Sequence, residues 1–188
     1  MVENERRGLR LASVPVTMEL DYTIAMASPE HLAVLADIEL AAATMLQGHA
    51  PASVLEETIP RAKLVHAQQE ERLWVALFKD IPVGFALVEM LAEDLPHLQE
   101  MDVTPDHGHR GLGTALLHTV LDWVARSGYQ KMTLTTFRNV PWNMPFYSRQ
   151  GFVEIHAHEL RPELEAIVQD EASRGMDRAQ RVVMGYWL

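Results

Sequence analysis

The sequence contains no cysteine, which excludes a disulfide scaffold, thiolate-held zinc, iron–sulfur clusters and a thiol nucleophile. It is also short of positive charge: 16 Lys and Arg stand against 26 Asp and Glu, a formal net charge of −10. Binding a nucleic-acid backbone needs a basic field over a broad face, so no nucleic-acid partner is expected. An acidic shell suits a cationic or small polar partner better. No apolar run approaches the ~20 residues that span a bilayer. The opening MVENERRGLRLASVPVTMEL also lacks the apolar stretch of ~7–15 residues found in a secretory signal. Residues 1–20 read as a loose arm, residues 21–188 as a single domain, with the cytoplasm as the expected location and no membrane partner. Ten Gly and ten Pro are ordinary counts, so neither a fibre nor low complexity is present. A chain of 188 residues can bury roughly 70% of its unfolded surface around one core.

Strand and helix patterns alternate along that core. YTIAMA (22–27) reads as a short strand, and Ser28 before Pro29 as the start of a helix continuing toward Gly48. A weaker helix over 53–69 is disturbed near Pro60. LWVALF (73–78) and VGFALVEM (83–90) read as a hairpin around the turn Lys79-Asp80-Ile81-Pro82. HLQEMDV (97–103) is a fourth strand. A loop over 104–110 then enters GLGTALLHTVLDWVARSG, whose Leu112, Ala115, Leu116, Val120, Trp123 and Val124 share one helical face up to Gly128. KMTLTT (131–136) is a fifth strand, 143–150 a short helix and FVEIHAH (152–158) a sixth strand. An acidic helix over 160–173 and a closing strand over 181–188 follow. This order predicts an α/β sandwich around a mixed sheet, not a repeated βα barrel.

The segment that carries chemistry is the strand–loop–helix HLQEMDV-TPDHGHR-GLGTALL. Gly111 and Gly113 flank the start of a helix, where bare amides approach a ligand closely and negative charge is favoured. Arg110 adds a cation at the rim. The pattern is a phosphate cradle, although glycines at a helix start also serve as plain turn and packing residues. A Walker A loop is excluded, since no Lys separates Gly113 from Thr114. A dinucleotide fingerprint is excluded too. Leu116 stands where its third Gly belongs, and no Asp or Glu occurs from Trp123 to Val153 to anchor a ribose.

These residues resemble the acetyl-CoA-binding core of the GNAT superfamily of N-acetyltransferases. The family's loop reads Arg/Gln-x-x-Gly-x-Gly/Ala after a strand that ends in Val two residues before a Pro; Val103, Pro105, Gly111, Leu112 and Gly113 match it. A second family signature, an aromatic pair followed by Gly-Phe, appears as Phe146-Tyr147-Ser148-Arg149-Gln150-Gly151-Phe152. The two signatures are ordered as in the family, with one strand between them. Gly108 occupies the family's Arg/Gln position and His109 the next, so the phosphate grip falls to backbone amides and Arg110.

The resemblance implies a mixed, mostly antiparallel sheet splayed between strands 4 and 5, with helices on both faces. It implies acetyl-CoA as co-substrate, no metal, and a small-molecule or peptide amine as acceptor; homodimers are common in that family. Its pantetheine arm would bond the backbone of Met101 and Val103, its pyrophosphate the amides from His109 through Arg110, Gly111, Leu112 and Gly113 to Thr114. Gly108 supplies loop flexibility. Tyr147 matches the family's proton donor to the departing sulfur; its structural alternative is a core aromatic. The base is His97, Glu100 or an ordered water. On a regular strand the two side chains lie on opposite faces, and a bulge there would remove that distinction. Outside such a role, Glu100 would be a solvated charge and His97 a strand-end surface residue. Asn143 reads first as a helix cap, then as a pantetheine contact.

Other features carry less. His107-x-His109 and His156-x-His158 are metal-like pairs lacking a third ligand. Trp142 reads as packing or as a pocket wall. Glu159, Glu163, Glu165, Asp170 and Glu171 read as a solvated helix face. Two rival classes stay open at this stage: a non-catalytic acyl-CoA-binding regulatory module on the same fold, and a dinucleotide oxidoreductase disfavoured by the missing acidic anchor.

Overall fold

The computed structural model describes residues 21–188; the arm expected over 1–20 lies outside the described residues. Strand β1 (Tyr22–Met26) leads through a 3-10 turn, Pro29–Ala33, into helix α1 (Leu35–Ala43). The expected helix toward Gly48 is therefore shorter, ending in a second 3-10 turn, Thr44–Leu46. The weaker helix divides into α2 (Ala52–Leu55) and α3 (Arg61–Gln69), because Pro60 cannot donate within a helix and instead precedes the first turn of α3. Strands β2 (Leu73–Phe78) and β3 (Ile81–Ala92) form the hairpin, with β3 longer at both ends than its apolar run. Strand β4 (Leu95–Val103), a 3-10 turn at Pro105–His107 and helix α4 (Leu112–Arg126) follow. The remaining elements are β5 (Lys131–Phe137), α5 (Met144–Arg149), β6 (Val153–Glu154), α6 (Pro162–Ser173) and β7 (Arg181–Trp187).

The sixth strand departs most from expectation. It has two residues, not seven, because His156 opens a 3-10 turn in which the Glu159 carboxylate accepts its backbone N–H at 3.2 Å.

The seven strands pair in the order β1-β2-β3-β4-β5-β7-β6. Every pair is antiparallel except β4 and β5, which run parallel and meet only at His97–Thr133 and Leu98–Leu134. Beyond those two pairs the strands separate, so the sheet is split on the C-terminal side of β4. Two apolar layers hold the halves. On one face α4 buries Leu112, Leu116, Leu117, Val120, Leu121 and Val124 against Trp74, Ala86, Val88, Leu98, Leu134 and Met184. Each such residue gains about 1.5–3 kcal/mol over an exposed position. On the other face Leu35 and Ile38 of α1 and Leu64 and Ala67 of α3 pack on Leu73, Val75, Phe85 and Leu87. Helix α6 joins this second face, where Leu164 and Val168 cover Leu95 and Val183.

One irregularity positions the site. Leu87 faces Glu100 while the next residue of β3, Val88, faces Leu98, which leaves Gln99 as an extra residue in β4. This β-bulge shifts the side-chain alternation by one. Leu98, Met101 and Val103 all pack toward α4, while His97 and Glu100 fall on the same, opposite face.

Candidate active site

The loop from β4 to α4 is locally determined. The His107 ring bonds the Tyr22 hydroxyl at 2.8 Å and packs against Tyr22 and Phe78, fastening the loop to β1 and β2. His109 (φ 58°) and Gly111 (φ 81°) take left-handed conformations that turn the chain into the helix. Glycine adopts this at little cost; His109 carries the strain of a side chain there. The N–H groups of His109, Gly111, Leu112, Gly113 and Thr114 meet no acceptor among the described residues. They gather at the N-terminus of a 15-residue helix, where the peptide dipoles add positive potential. Gly108 donates to the Pro105 carbonyl at 3.0 Å and closes the preceding turn. Arg110 is exposed, its guanidinium 6.0 Å from the Tyr22 ring centre. The surface of this loop is thus a cluster of unpaired backbone N–H groups at a helix N-terminus, an arrangement that favours negative charge.

Further along the split, β4 presents an edge with no strand partner among the described residues, although the Met101 N–H also donates to the Glu100 carboxylate. Thr104 N–H donates to the Val83 carbonyl at 2.9 Å, so the hydrogen-bonded pairs with β3 fall on every second residue, at Thr104, Asp102 and Glu100. Met101 and Val103 therefore turn their N–H and C=O away from β3, toward the gap that β5 leaves. An extended polar chain lying there would find a ready strand edge.

On the opposite face the split opens into a cleft of about 1010 Å³, between α1, the segment 50–60, α6 and the ends of β4 and β5. His97, Glu100, Asp102, Asn143 and Tyr147 all line it. Tyr147 reaches it from α5, held by edge-on contacts with Phe146 (5.1 Å) and Phe152 (5.7 Å). Burial, reinforced by the negative charges of Glu100 and Asp102, pushes its phenol well above the ordinary range, so the hydroxyl keeps its proton. Asn143 stands at the N-cap of α5 as expected, but its side chain makes no cap hydrogen bond and lines the cleft.

His97 and Glu100 correct their structural alternatives. His97 is 2% exposed, bonded through Nδ1 to Thr133 Oγ1 at 2.9 Å, and is no surface residue. Burial lowers its pKa to about 4, so the ring is neutral. Glu100 is not a freely solvated charge: burial first, then the charge of Glu39, raises its pKa to about 7. Asp102, beside it on the same face, is raised well above the carboxylate range by burial and by Glu100 and Glu39. Glu39 itself, on α1, is raised by burial although its Oε2 accepts the Ile59 N–H at 2.9 Å. Asp102 and Glu39 escaped the sequence reading. The spacing Glu100-x-Asp102 on a strand was the available signal for one; nothing local marked the other.

The acidic helix is also corrected at one position. Glu171 is buried, not part of a solvated face. Burial pushes its carboxyl up, but Arg181 at 2.7 and 2.9 Å and Thr135 at 2.6 Å outweigh that and hold it down. This ion pair braces β5, α6 and β7 at the cleft wall. Trp142 is 43% exposed, edge-on to His49. Among the described residues no three His, Cys, Asp or Glu side chains gather to hold a metal ion, and no helix is long and apolar enough to cross a membrane.

Comparison with known proteins meets this geometry from outside. The model of the Acetyltransferase (GNAT) family matches residues 35–152. Mycothiol acetyltransferase of Nocardiopsis dassonvillei is 33% identical over 157 residues, which cover 83% of this chain and 43% of that protein. The chain thus spans less than half the length of this curated relative. The PaiA N-acetyltransferase of Thermoplasma acidophilum, solved in complex with coenzyme A, aligns with a TM-score of 0.70 at 16% identity, over 89% of this chain and 99% of that one. The ribosomal-protein-S18-alanine N-acetyltransferase of Escherichia coli aligns at 0.61 and 18% identity, over 88% and 93%. At these identities the structural likeness carries the fold.

Proposed function

The chain belongs to the acetyltransferase (GNAT) family, and on that premise we propose that it transfers acetyl directly from acetyl-CoA to a primary amine of a small molecule or peptide. In this reading acetyl-CoA supplies the activated acyl group and a pyrophosphate handle. The amides of His109 to Thr114, with Arg110 at the rim, hold the pyrophosphate; the β4 edge at Met101 and Val103 holds the pantetheine arm. Gly108 lets the loop bend, and Asn143 sits where it can reach the same arm.

The observation that carries the reading is the meeting of opposite proton chemistries at the mouth of the split: a protonated phenol on α5 and carboxylates on β4. Direct transfer forms a C–N bond and breaks a C–S bond, so one proton must leave the amine and one must reach the sulfur. Glu100, poised near neutrality, is suited to take the first; Tyr147 is suited to give the second. His97 lines the same cleft, but burial keeps it neutral and it is bonded to Thr133, able to orient water or the amine. Backbone N–H groups at the β4 edge are the available donors to the carbonyl oxygen. No thiol-borne acyl-enzyme is available, because the chain has no cysteine.

Thiol release from acetyl-CoA with a panel of alkylamines, amino acids and peptides tests this. Turnover with at least one amine, lost in Tyr147→Phe with coenzyme A affinity retained, is the expected result. Binding of coenzyme A with no turnover on any amine would replace the enzyme by a sensor on the same fold.

A further inference from the structure

Resting on the function just proposed, we infer that Glu39 is a positioning residue: from α1 it holds a second negative charge against Glu100 and so sets the pH at which Glu100 takes the acceptor's proton. The placement is structural. Ile38, buried beside it, packs into the layer of Phe85 and Leu87, and Leu87 is the residue of β3 that faces Glu100. Helix α1 therefore lies over the stretch of sheet that carries the base, and Glu39 and Glu100 line one cleft. The Glu39 carboxylate is not free to swing into solvent. Its Oε2 is tied to the N–H of Ile59, itself buried.

The charges around Glu100 offset this pair only in part: Arg181 and Arg174 favour the charged form of Glu100, and Arg174 that of Glu39, yet the proton affinity of both carboxyls remains raised. Glu100 interacts with Asp102 of β4, Tyr147 of α5, Arg181 of β7 and Arg174 beyond α6, and His97 of β4 lines the same cleft. Lys63 on α3, Glu89 on β3, Glu57, and Glu163, Asp170 and Glu171 on α6 line the same cleft. Each cation already has a carboxylate partner: Lys63 holds Glu89 at 2.7 Å, Arg181 holds Glu171 at 2.7 Å, and Arg174 pairs with Glu57 and with Asp170. Glu39, Glu100 and Asp102 make no ion pair among the described residues. Like charges sharing a poorly solvated site raise one another's proton affinity. Asp102 contributes from the same strand. Glu39 differs in being delivered by a separate element and in having its other duty, accepting the Ile59 N–H, carried by an oxygen that glutamine would keep.

That difference makes the test clean. Glu39→Gln removes the charge and retains an acceptor for Ile59. The full chain, labelled with carboxyl-¹³C glutamate, is titrated by NMR, with the Glu100 resonance assigned by its loss in Glu100→Gln. The Glu100 midpoint is expected to fall by about 0.5–1 pH unit in Glu39→Gln, and the acid limb of kcat/KM for the best amine of the panel to fall with it. Glu39→Asp keeps the charge but draws it back from Ile59; it should leave the midpoint closer to wild type than Glu39→Gln does. An unmoved midpoint in folded Glu39→Gln, or a midpoint displaced by Asp and not by Gln, overturns the role of Glu39 alone. A midpoint that falls while the acid limb stays in place overturns Glu100 as the base.

Discussion

The two mouths of the split sheet carry opposite electrostatics. At the loop entering α4, positive potential comes from backbone N–H groups and a helix terminus, contributed by consecutive residues and insensitive to pH. At the cleft on the other face, negative potential comes from carboxylates on α1 and β4 whose proton affinity burial raises, that of Glu100 to a pKa of about 7. An anion seat made of amides is permanent; an acidic seat made of buried carboxyls is conditional on protonation. The pairing suits a reaction in which one partner is always anionic and the other must lose a proton.

Breaking the junction between the mouths should have the largest consequence. Tyr147→Phe removes the phenol while retaining the ring contacts to Phe146 and Phe152. Turnover should fall about 10²- to 10⁴-fold with coenzyme A affinity near wild type, measured by thiol release and calorimetry; unchanged turnover would remove the acid role. The anion seat alone is broken by Gly113→Glu. A Cβ there meets nothing closer than 3.9 Å, and glutamate in a first helical turn favours the helix, so the fold should survive. Coenzyme A affinity should drop about 100-fold or more, the ~3 kcal/mol scale of an uncompensated charge contact. Wild-type binding would place the pyrophosphate elsewhere.

The conditional seat is sharpened by Glu100→Gln. Glu100 binds its proton more tightly folded, at about 7, than at the ordinary 4.5. The folded state is therefore favoured below pH 4.5 and loses that advantage as pH rises through 7. The amide should raise Tm by roughly 3–8 °C at pH 8 and by less at pH 5, while removing the acid limb of kcat/KM; equal shifts at both pH values would contradict the burial of the charge. His97 has the opposite sign. Its folded pKa of about 4 lies below the ordinary 6.5, so stability is present above 6.5 and is lost as pH falls toward 4. His97→Gln should flatten that loss by roughly 1–3 °C in Tm, the smallest of these effects.

The two mouths were not equally legible. Gly111, Gly113 and the Phe146–Phe152 segment announce themselves because a helix start and a short aromatic turn are decided within a few residues. Helix α4 was legible through its periodic apolar face, and the alternative of Glu100 or His97 was reached without a choice between them. The bulge at Gln99 brings both side chains onto the cleft face and so does not choose between them. What separates them is burial, which keeps His97 neutral and lifts the Glu100 pKa to about 7; both bulge and burial are properties of paired and packed strands, not of one. Glu39 carries no local mark, since a glutamate on an amphipathic helix is ordinarily a surface charge. The burial of Glu171 escaped notice for the same reason, its partner Arg181 lying on a strand ten residues away. The expected seven-residue sixth strand failed because alternation alone does not supply a neighbour, and β7 pairs with only two of those residues.

By itself, the amino-acid order determined the α/β alternation, the bare-amide turn ahead of α4 and the position of the phenol, because each depends on backbone preferences and side-chain spacing over one or two turns of chain. Only the tertiary structure decided which acids share a cleft, which of them keep a proton, and that β4 and β5 part after two residue pairs. Those outcomes depend on desolvation and on charges brought together from distant segments, and neither exists until the sheet and its two layers of helices have closed.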